Sequence, residues 1–140
     1  MKRVLIIEDS DLNRDLLEQW LEGRYETHSC RDGETGLAAA REVRPDFVLL
    51  DLSLPGIDGW EVARQLRADA AFDDVAIIAV TAHAMRGDAE RAFAQGCDEY
   101  LTKPIDDAAL LAALTRFAPG RREGKKVPGT FSAATGGQAF

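Results

Sequence analysis

A chain of 140 residues with 46% hydrophobic and 29% charged residues fits one ordinary globular domain able to bury a sizeable core. No apolar run approaches the ~20 residues of a membrane span, and the run after Met1-Lys2-Arg3 is too short for a signal peptide, so a cytoplasmic protein without a membrane partner is expected. The net charge is −7, yet residues 119–140 carry Arg121, Arg122, Lys125 and Lys126 against Glu123, or +3, leaving −10 on residues 1–118; such a body repels nucleic-acid phosphates and suits a site that recruits a cation.

Five short apolar runs alternate with five amphipathic stretches. The first run, residues 3–7, leads through Glu8-Asp9-Ser10-Asp11 into Leu12, Leu16, Leu17, Trp20 and Leu21, spaced at the three- and four-residue steps of a buried helix face. The second, about residues 25–30, is more polar and fits an edge strand; Asp32-Gly33 then opens a helix carrying Leu37, Ala38, Ala40 and Val43. The third, residues 46–50, is stopped by Asp51, and Asp58 and Glu61 stand at capping-box spacing before Val62, Ala63 and Leu66. The fourth, residues 75–80, runs into Thr81. Met85-Arg86-Gly87 makes a weak first turn for the helix that follows, since glycine costs about 1 kcal/mol there relative to alanine. That helix carries Ala89, Ala92 and Phe93 and is followed by Gly96 as a C-cap. The fifth run, residues 98–102, contains Tyr100 and leads into Lys103-Pro104; Asp106 opens the last helix, with Leu110, Leu111 and Leu114. After Phe117 the pattern stops. The domain is therefore expected to span 1–118, with 119–140 a disordered tail.

Strand and helix in strict alternation predict an α/β fold with a parallel sheet covered on both faces. The first, third and fourth runs lack polar alternation, as central parallel strands do. Cys30 and Cys97 fall at opposite edges of such a sheet and read as free thiols.

If the strands are parallel, their ends bring together three carboxylates, a hydroxyl and an ammonium: Glu8, Asp9, Asp51, Thr81 and Lys103. Ligands bind at this edge of open α/β sheets. Two carboxylates ~4 Å apart repel by about 4 kcal/mol at an effective dielectric near 20, so the cluster needs a cation. An oxygen-only donor set without a His or Cys cluster favours a hard ion, Mg²⁺ or Mn²⁺. Taken singly, Glu8-Asp9 is a solvated turn, Thr81 a β-residue, Lys103 a surface lysine and Tyr100 an edge aromatic; Trp20 reads as core and Trp60 as packing. It is their order and placement at strand ends that point to phosphoryl chemistry on a carboxylate.

The set Glu8-Asp9, Asp51, Thr81 and Lys103-Pro104 resembles the receiver domain of two-component response regulators, over about residues 2–118. The strings Ile7-Glu8-Asp9-Ser10-Asp11-Leu12-Asn13 and Val80-Thr81-Ala82-His83-Ala84-Met85 are similar to single-domain regulators and to the receivers of hybrid histidine kinases. The resemblance implies a flavodoxin-like (βα)5 sandwich with strand order 2-1-3-4-5. It implies that Asp51 takes a phosphoryl group from a histidine kinase or histidine phosphotransferase. Asp9, Asp51 and the backbone carbonyl of Ser53 would hold Mg²⁺, with Glu8 close by. Lys103, Thr81 and the Ala82 backbone would contact the phosphoryl group. Thr81 and Tyr100 would be a switch pair that reshapes the face of helix 4, strand 5 and helix 5 for a protein partner, with no output domain attached. A cis bond at Pro104 follows from the resemblance as well. Ser53 and His83, each two residues past a site residue, would flank the hydrolytic water and tune phosphate lifetime.

Two other classes fit less well. A phosphatase of the haloacid-dehalogenase type needs a second Asp two residues after the nucleophile, where this chain has Ser53. A flavin carrier needs a phosphate-cradling loop after strand 1, where this chain has four residues of mostly acidic sequence.

Overall fold

The five runs form strands, β1 (Arg3–Ile7), β2 (Glu26–Cys30), β3 (Phe47–Asp51), β4 (Ala76–Thr81) and β5 (Glu99–Thr102), with β1, β3 and β4 almost wholly apolar and β2 polar. In the computed structural model, which describes residues 1–125, they pair in parallel in the order β2-β1-β3-β4-β5. The edge position expected for the polar second strand is occupied by β2, and β5 closes the other side. The helices are α1 (Asp11–Leu21), α2 (Gly33–Val43), α3 (Gly59–Ala68), α4 (Asp88–Ala94), α5 (Asp107–Arg116) and α6 (Arg121–Lys125).

Alternate residues of each strand face opposite sides, so the sheet has two cores. Leu5, Ile7, Val48, Leu50, Ile77 and Ala79 point toward Leu37 and Ala40 of α2, Val62 and Leu66 of α3, and Ala92 of α4. Val4, Ile6, Phe47, Leu49 and Ile78 point toward Leu17 and Leu21 of α1 and Leu110, Leu114 and Phe117 of the α5 end. This is the three-layer, flavodoxin-like arrangement, and the order of strands reverses between β1 and β3. Trp20 packs against the second core but stays half-buried rather than fully inside, because it lines the outer side of α1 next to Pro104 and Ile105. Cys30 and Cys97 are free thiols at the two sides of the sheet.

Side-chain caps start four helices. Ser10 accepts from the Asn13 N–H, Asp32 from Thr35, Asp58 from Glu61 and Asp106 from Ala108. The capping box expected at Asp58 and Glu61 is only half made: the Glu61 carboxylate turns to Arg64 and Gln65 instead, where two cationic and amide donors outcompete one backbone N–H. Helix α4 differs from these four. It begins at Gly87 in the left-handed region (φ 88°) without a side-chain cap, and Ala92 is its one buried residue. Gly96 ends it with φ 104°, and a Cβ at that position would strike the Arg67 side chain.

The folded part reaches past the expected boundary at residue 118. Residues 121–125 form α6, which sits against Asp98, a carboxylate with a wholly buried side chain. Arg121 Nε lies 2.6 Å and Lys125 Nζ 3.0 Å from Asp98 Oδ1, while Arg67 reaches Oδ2 at 3.1 Å and the Ile77 N–H donates to it at 2.8 Å. Gly124 lies so close to Phe117 that no Cβ would fit. Composition hid this because the ordering partner, Asp98, lies more than twenty residues back along the chain. The rest of the expected tail, residues 126–140, lies outside the described residues.

Removing a buried ion-pair partner typically costs about 3–5 kcal/mol. Asp98→Ala is therefore expected to lose stability of that order in urea denaturation, and ending the chain at Ala118 is expected to lower the midpoint as well.

Candidate functional site

Register decides which strand ends meet. Ile7 is level with Leu50, Asp51 with Val80, and Thr81 with Thr102. One residue past each pair, at the C-terminal edge of the sheet, stand Glu8 beside Asp51 and Lys103 beyond Thr81. The backbone ties them: Leu52 N–H donates to the Val80 carbonyl and Lys103 N–H to the Thr81 carbonyl, each at 2.8 Å.

The Lys103 ammonium joins the carboxylates. Its Nζ lies 2.8 Å from Glu8 Oε1 and 3.2 Å from Asp51 Oδ2. Glu8 and Asp51 are each 3% exposed, so this is an ion triad in a largely dehydrated pocket rather than a surface contact. Burial pushes the Glu8 carboxyl above its ordinary range, a tendency that the Lys103 hydrogen bond and the Ser10 N–H oppose and the Asp51 charge reinforces. Burial works to lower the Lys103 pKa, but the Glu8 hydrogen bond and the Asp51 charge outweigh it and hold the ammonium above its ordinary value. Lysine stays charged here.

Other expected residues fall around the triad. Asp9 is exposed at its rim. Ser53 is exposed and donates its N–H to Asp51 Oδ1 at 2.9 Å. Thr81 is buried, and its Oγ1 accepts from the His83 N–H at 3.1 Å; Ala82 and His83 are exposed on the loop that follows. The Lys103–Pro104 bond is cis. Tyr100 lies inward, 6% exposed, and its hydroxyl is without a partner among the described residues.

Three supporting residues escaped the sequence reading. Ser10 donates its N–H to Glu8 Oε2 at 3.0 Å while its hydroxyl caps α1, a role that a Ser before an amphipathic run does signal. Arg14 Nη1 donates to the Glu8 carbonyl at 2.8 Å, and nothing local marks it. Gly59 brings α3 against the Asp51 turn: its N–H donates to the Leu52 carbonyl, and a Cβ there would collide with the Asp51 carbonyl oxygen. The Asp58-Gly59 pair was legible only as a helix start. Beside Lys103 a groove of about 440 Å³ runs between α1 and the β5–α5 connection, lined by Leu16, Trp20, Pro104 and Ile105.

Oxygens of Glu8, Asp9 and Asp51 all lie within 4.8 Å of one another. Three carboxylates against one ammonium leave two negative charges, which a divalent ion balances, and an all-oxygen set fits Mg²⁺ rather than zinc.

A family description carrying this architecture, the response regulator receiver domain, matches residues 4–115. The chain belongs to that family. This receiver is 45% identical over 117 residues to the polar-differentiation response regulator DivK of Brucella anthropi, covering 83% of the chain and 95% of the relative. Among solved structures it resembles the receiver domain of the sensor histidine kinase PA1611 of Pseudomonas aeruginosa (34% identity, TM-score 0.75, covering 82% of this chain and 95% of that one), which has a magnesium ion coordinated in its active site cleft. It also resembles the chemotaxis protein CheY4 of Vibrio cholerae (27% identity, TM-score 0.77, 83% and 98% covered). The protein is a receiver domain of two-component signalling, a module that binds Mg²⁺ and works with histidine kinases or phosphotransfer proteins, and its acidic cluster has the composition and spacing to hold that ion.

Binding to the native state alone stabilises it, by about 2.7 kcal/mol when the ligand stands at a hundred times Kd. Mg²⁺ is expected to raise the thermal midpoint of the receiver in a saturable way. Asp9→Asn, which removes an exposed charge and no packing, is expected to shift that titration to higher Mg²⁺; an unchanged midpoint curve would remove Asp9 from the ligand set.

Proposed function

We propose that Asp51 accepts a phosphoryl group from the phosphohistidine of a kinase or phosphotransferase, and that the acyl phosphate switches the face of α4, β5 and α5. The observation that carries this reading is the buried Asp51 carboxylate at a sheet edge, 3.2 Å from the Lys103 ammonium and beside two further carboxylates. An Asp51 oxygen attacks phosphorus, the P–N bond breaks, and the imidazole nitrogen leaves with the electron pair and takes up a proton. An anion attacking a phosphoryl dianion needs positive charge at the transferring oxygens. Lys103 is placed to supply one such charge. Mg²⁺, held by Glu8, Asp9, Asp51 and the Ser53 carbonyl, supplies the remainder when bound.

Thr81 Oγ1 accepts from the His83 N–H and keeps its own hydrogen for a phosphoryl oxygen, alongside the Ala82 backbone. Movement of Thr81 toward phosphate draws the 82–87 loop with it. Tyr100 already occupies the inward position, so in this reading phosphorylation secures a ring placement that the free domain reaches, and the unpartnered hydroxyl gains a partner from the moved loop. Met85 and Phe93, 73% and 45% exposed, offer apolar surface on the same face to a protein partner. The acidic body disfavours nucleic acid as that partner. Ser53 and His83, both exposed next to the site, flank the approach of a hydrolytic water and set phosphate lifetime. Ser53 is a poor general acid, which separates this chemistry from that of a multiple-turnover phosphatase.

Intact-mass analysis after incubation with acetyl phosphate is expected to give one Mg²⁺-dependent phosphoryl adduct, absent from a folded Asp51→Asn variant. An adduct that persists in Asp51→Asn would overturn the assignment. Thr81→Ala is expected to form the adduct yet lose the phosphorylation-dependent change in amide exchange over α4 and β5, and a wild-type response from that variant would sink the switch role.

A further inference from the structure

Helix α4 is weakly held by its own sequence. It has seven residues, no side-chain cap and one buried position, so its placement depends on what grips it from outside. Two side chains of α3 do so. Arg67, near the end of α3, donates from Nε to the Gly96 carbonyl just past α4 at 3.0 Å. Near the start of α3, Trp60 offers its ring face to Arg91 of α4, whose guanidinium carbon stands 3.9 Å from the ring centroid. Arg91 makes no ion pair among the described residues, although acidic side chains are plentiful on this surface. Trp60 also follows Gly59 directly, and Gly59 is pressed against the Asp51 carbonyl and bonded to the Leu52 carbonyl. The path from the Asp51 turn to α4 is thus three contacts long: turn to Gly59, Trp60 ring to Arg91, Arg91 to its helix.

We propose that the Trp60–Arg91 stack is a positioning contact that couples the Asp51 turn to α4. The turn is joined to the first residues of α3 through the Gly59 hydrogen bond to Leu52 and the close approach of Gly59 to Asp51, so a change in its geometry carries to the Trp60 ring. An exposed guanidinium over an aromatic face contributes modestly, and its loss changes a local opening equilibrium about two- to fivefold. That is small for the fold and large for a short helix with no cap. The proposal rests on Asp51 being the phosphoacceptor only for the nature of the signal. The stack itself is independent of that reading.

The test is amide hydrogen exchange over residues 85–95 of the full chain, for wild type, Arg91→Ala, Trp60→Leu and the double variant. Each is measured without additions, with Mg²⁺, and with Mg²⁺ plus acetyl phosphate, with intact mass recorded in parallel. In Arg91→Ala the α4 amides are expected to exchange about two- to fivefold faster while those of α3 do not change, and the response of α4 to Mg²⁺ and phosphate shrinks although the adduct still forms. Arg91→Ala is expected to add nothing in the Trp60→Leu background, which a merely local helix effect of Arg91 would not produce. Unchanged α4 exchange in Arg91→Ala, or additive effects in the double variant, would refute the coupling. Absence of the adduct from wild type would count against Asp51 as acceptor, and the Mg²⁺ response of α4 would still decide for or against the stack.

Discussion

The reactive end of this receiver depends on one ammonium held between two buried carboxylates. Glu8 and Asp51 stand at neighbouring strand ends and both are closed off from water. At ~4 Å and an effective dielectric near 20, their repulsion is about 4 kcal/mol, a large part of a small domain's net stability. Lys103 bridges them, and a fixed backbone places it there: its own N–H is bonded to Thr81, and it precedes a proline. With Asp9 at the rim the pocket still lacks two positive charges. That residual deficit fits a divalent ion, so the electrostatic imbalance is the basis of what the site can hold.

The opposite end of the sheet has the reverse balance. There one buried carboxylate, Asp98, is met by Arg67, Arg121 and Lys125, and a strand N–H donates to it as well. An oversupplied anion is satisfied within the molecule and acts as a staple that gathers α3, β4 and α6. An undersupplied anion cluster looks outward for ligands. Parallel strands make this division possible, because every strand presents its C-terminal end to one pole and its N-terminal end to the other. Arg67 belongs to both systems. It reaches Asp98 at one pole and the Gly96 carbonyl at the foot of α4, so the helix with the least hold of its own is anchored to the internally satisfied end.

Most of the fold was legible along the chain because its signals are local and repeated. An apolar run of five or six residues, a turn with Asp or Gly, and a helical face at three- and four-residue steps each declare themselves without knowledge of the rest. Asp51, Thr81 and Lys103 could be picked out because each stops such a run. Where a residue answered to a distant partner, the reading faltered. Residues 121–125 looked like a tail because nothing nearby orders them, and Glu61 looked like a cap partner although Arg64 and Gln65 claim its carboxylate. Arg14 and Gly59 support the site through backbone contacts, which leave no mark in residue type beyond a glycine after an aspartate.

By itself, then, the sequence determined the alternation of strands and helices, the side on which each chemical group emerges, and the kind of ion three carboxylates would select. These follow from periodicity and from the charge of individual side chains. Tertiary structure alone decided the register that sets Glu8 beside Asp51, the inward placement of Tyr100, the stacking of Arg91 on Trp60 and the capture of α6 by Asp98. Each of these is a contact between segments remote in sequence, and such contacts acquire an energy only when the sheet has brought their partners within reach.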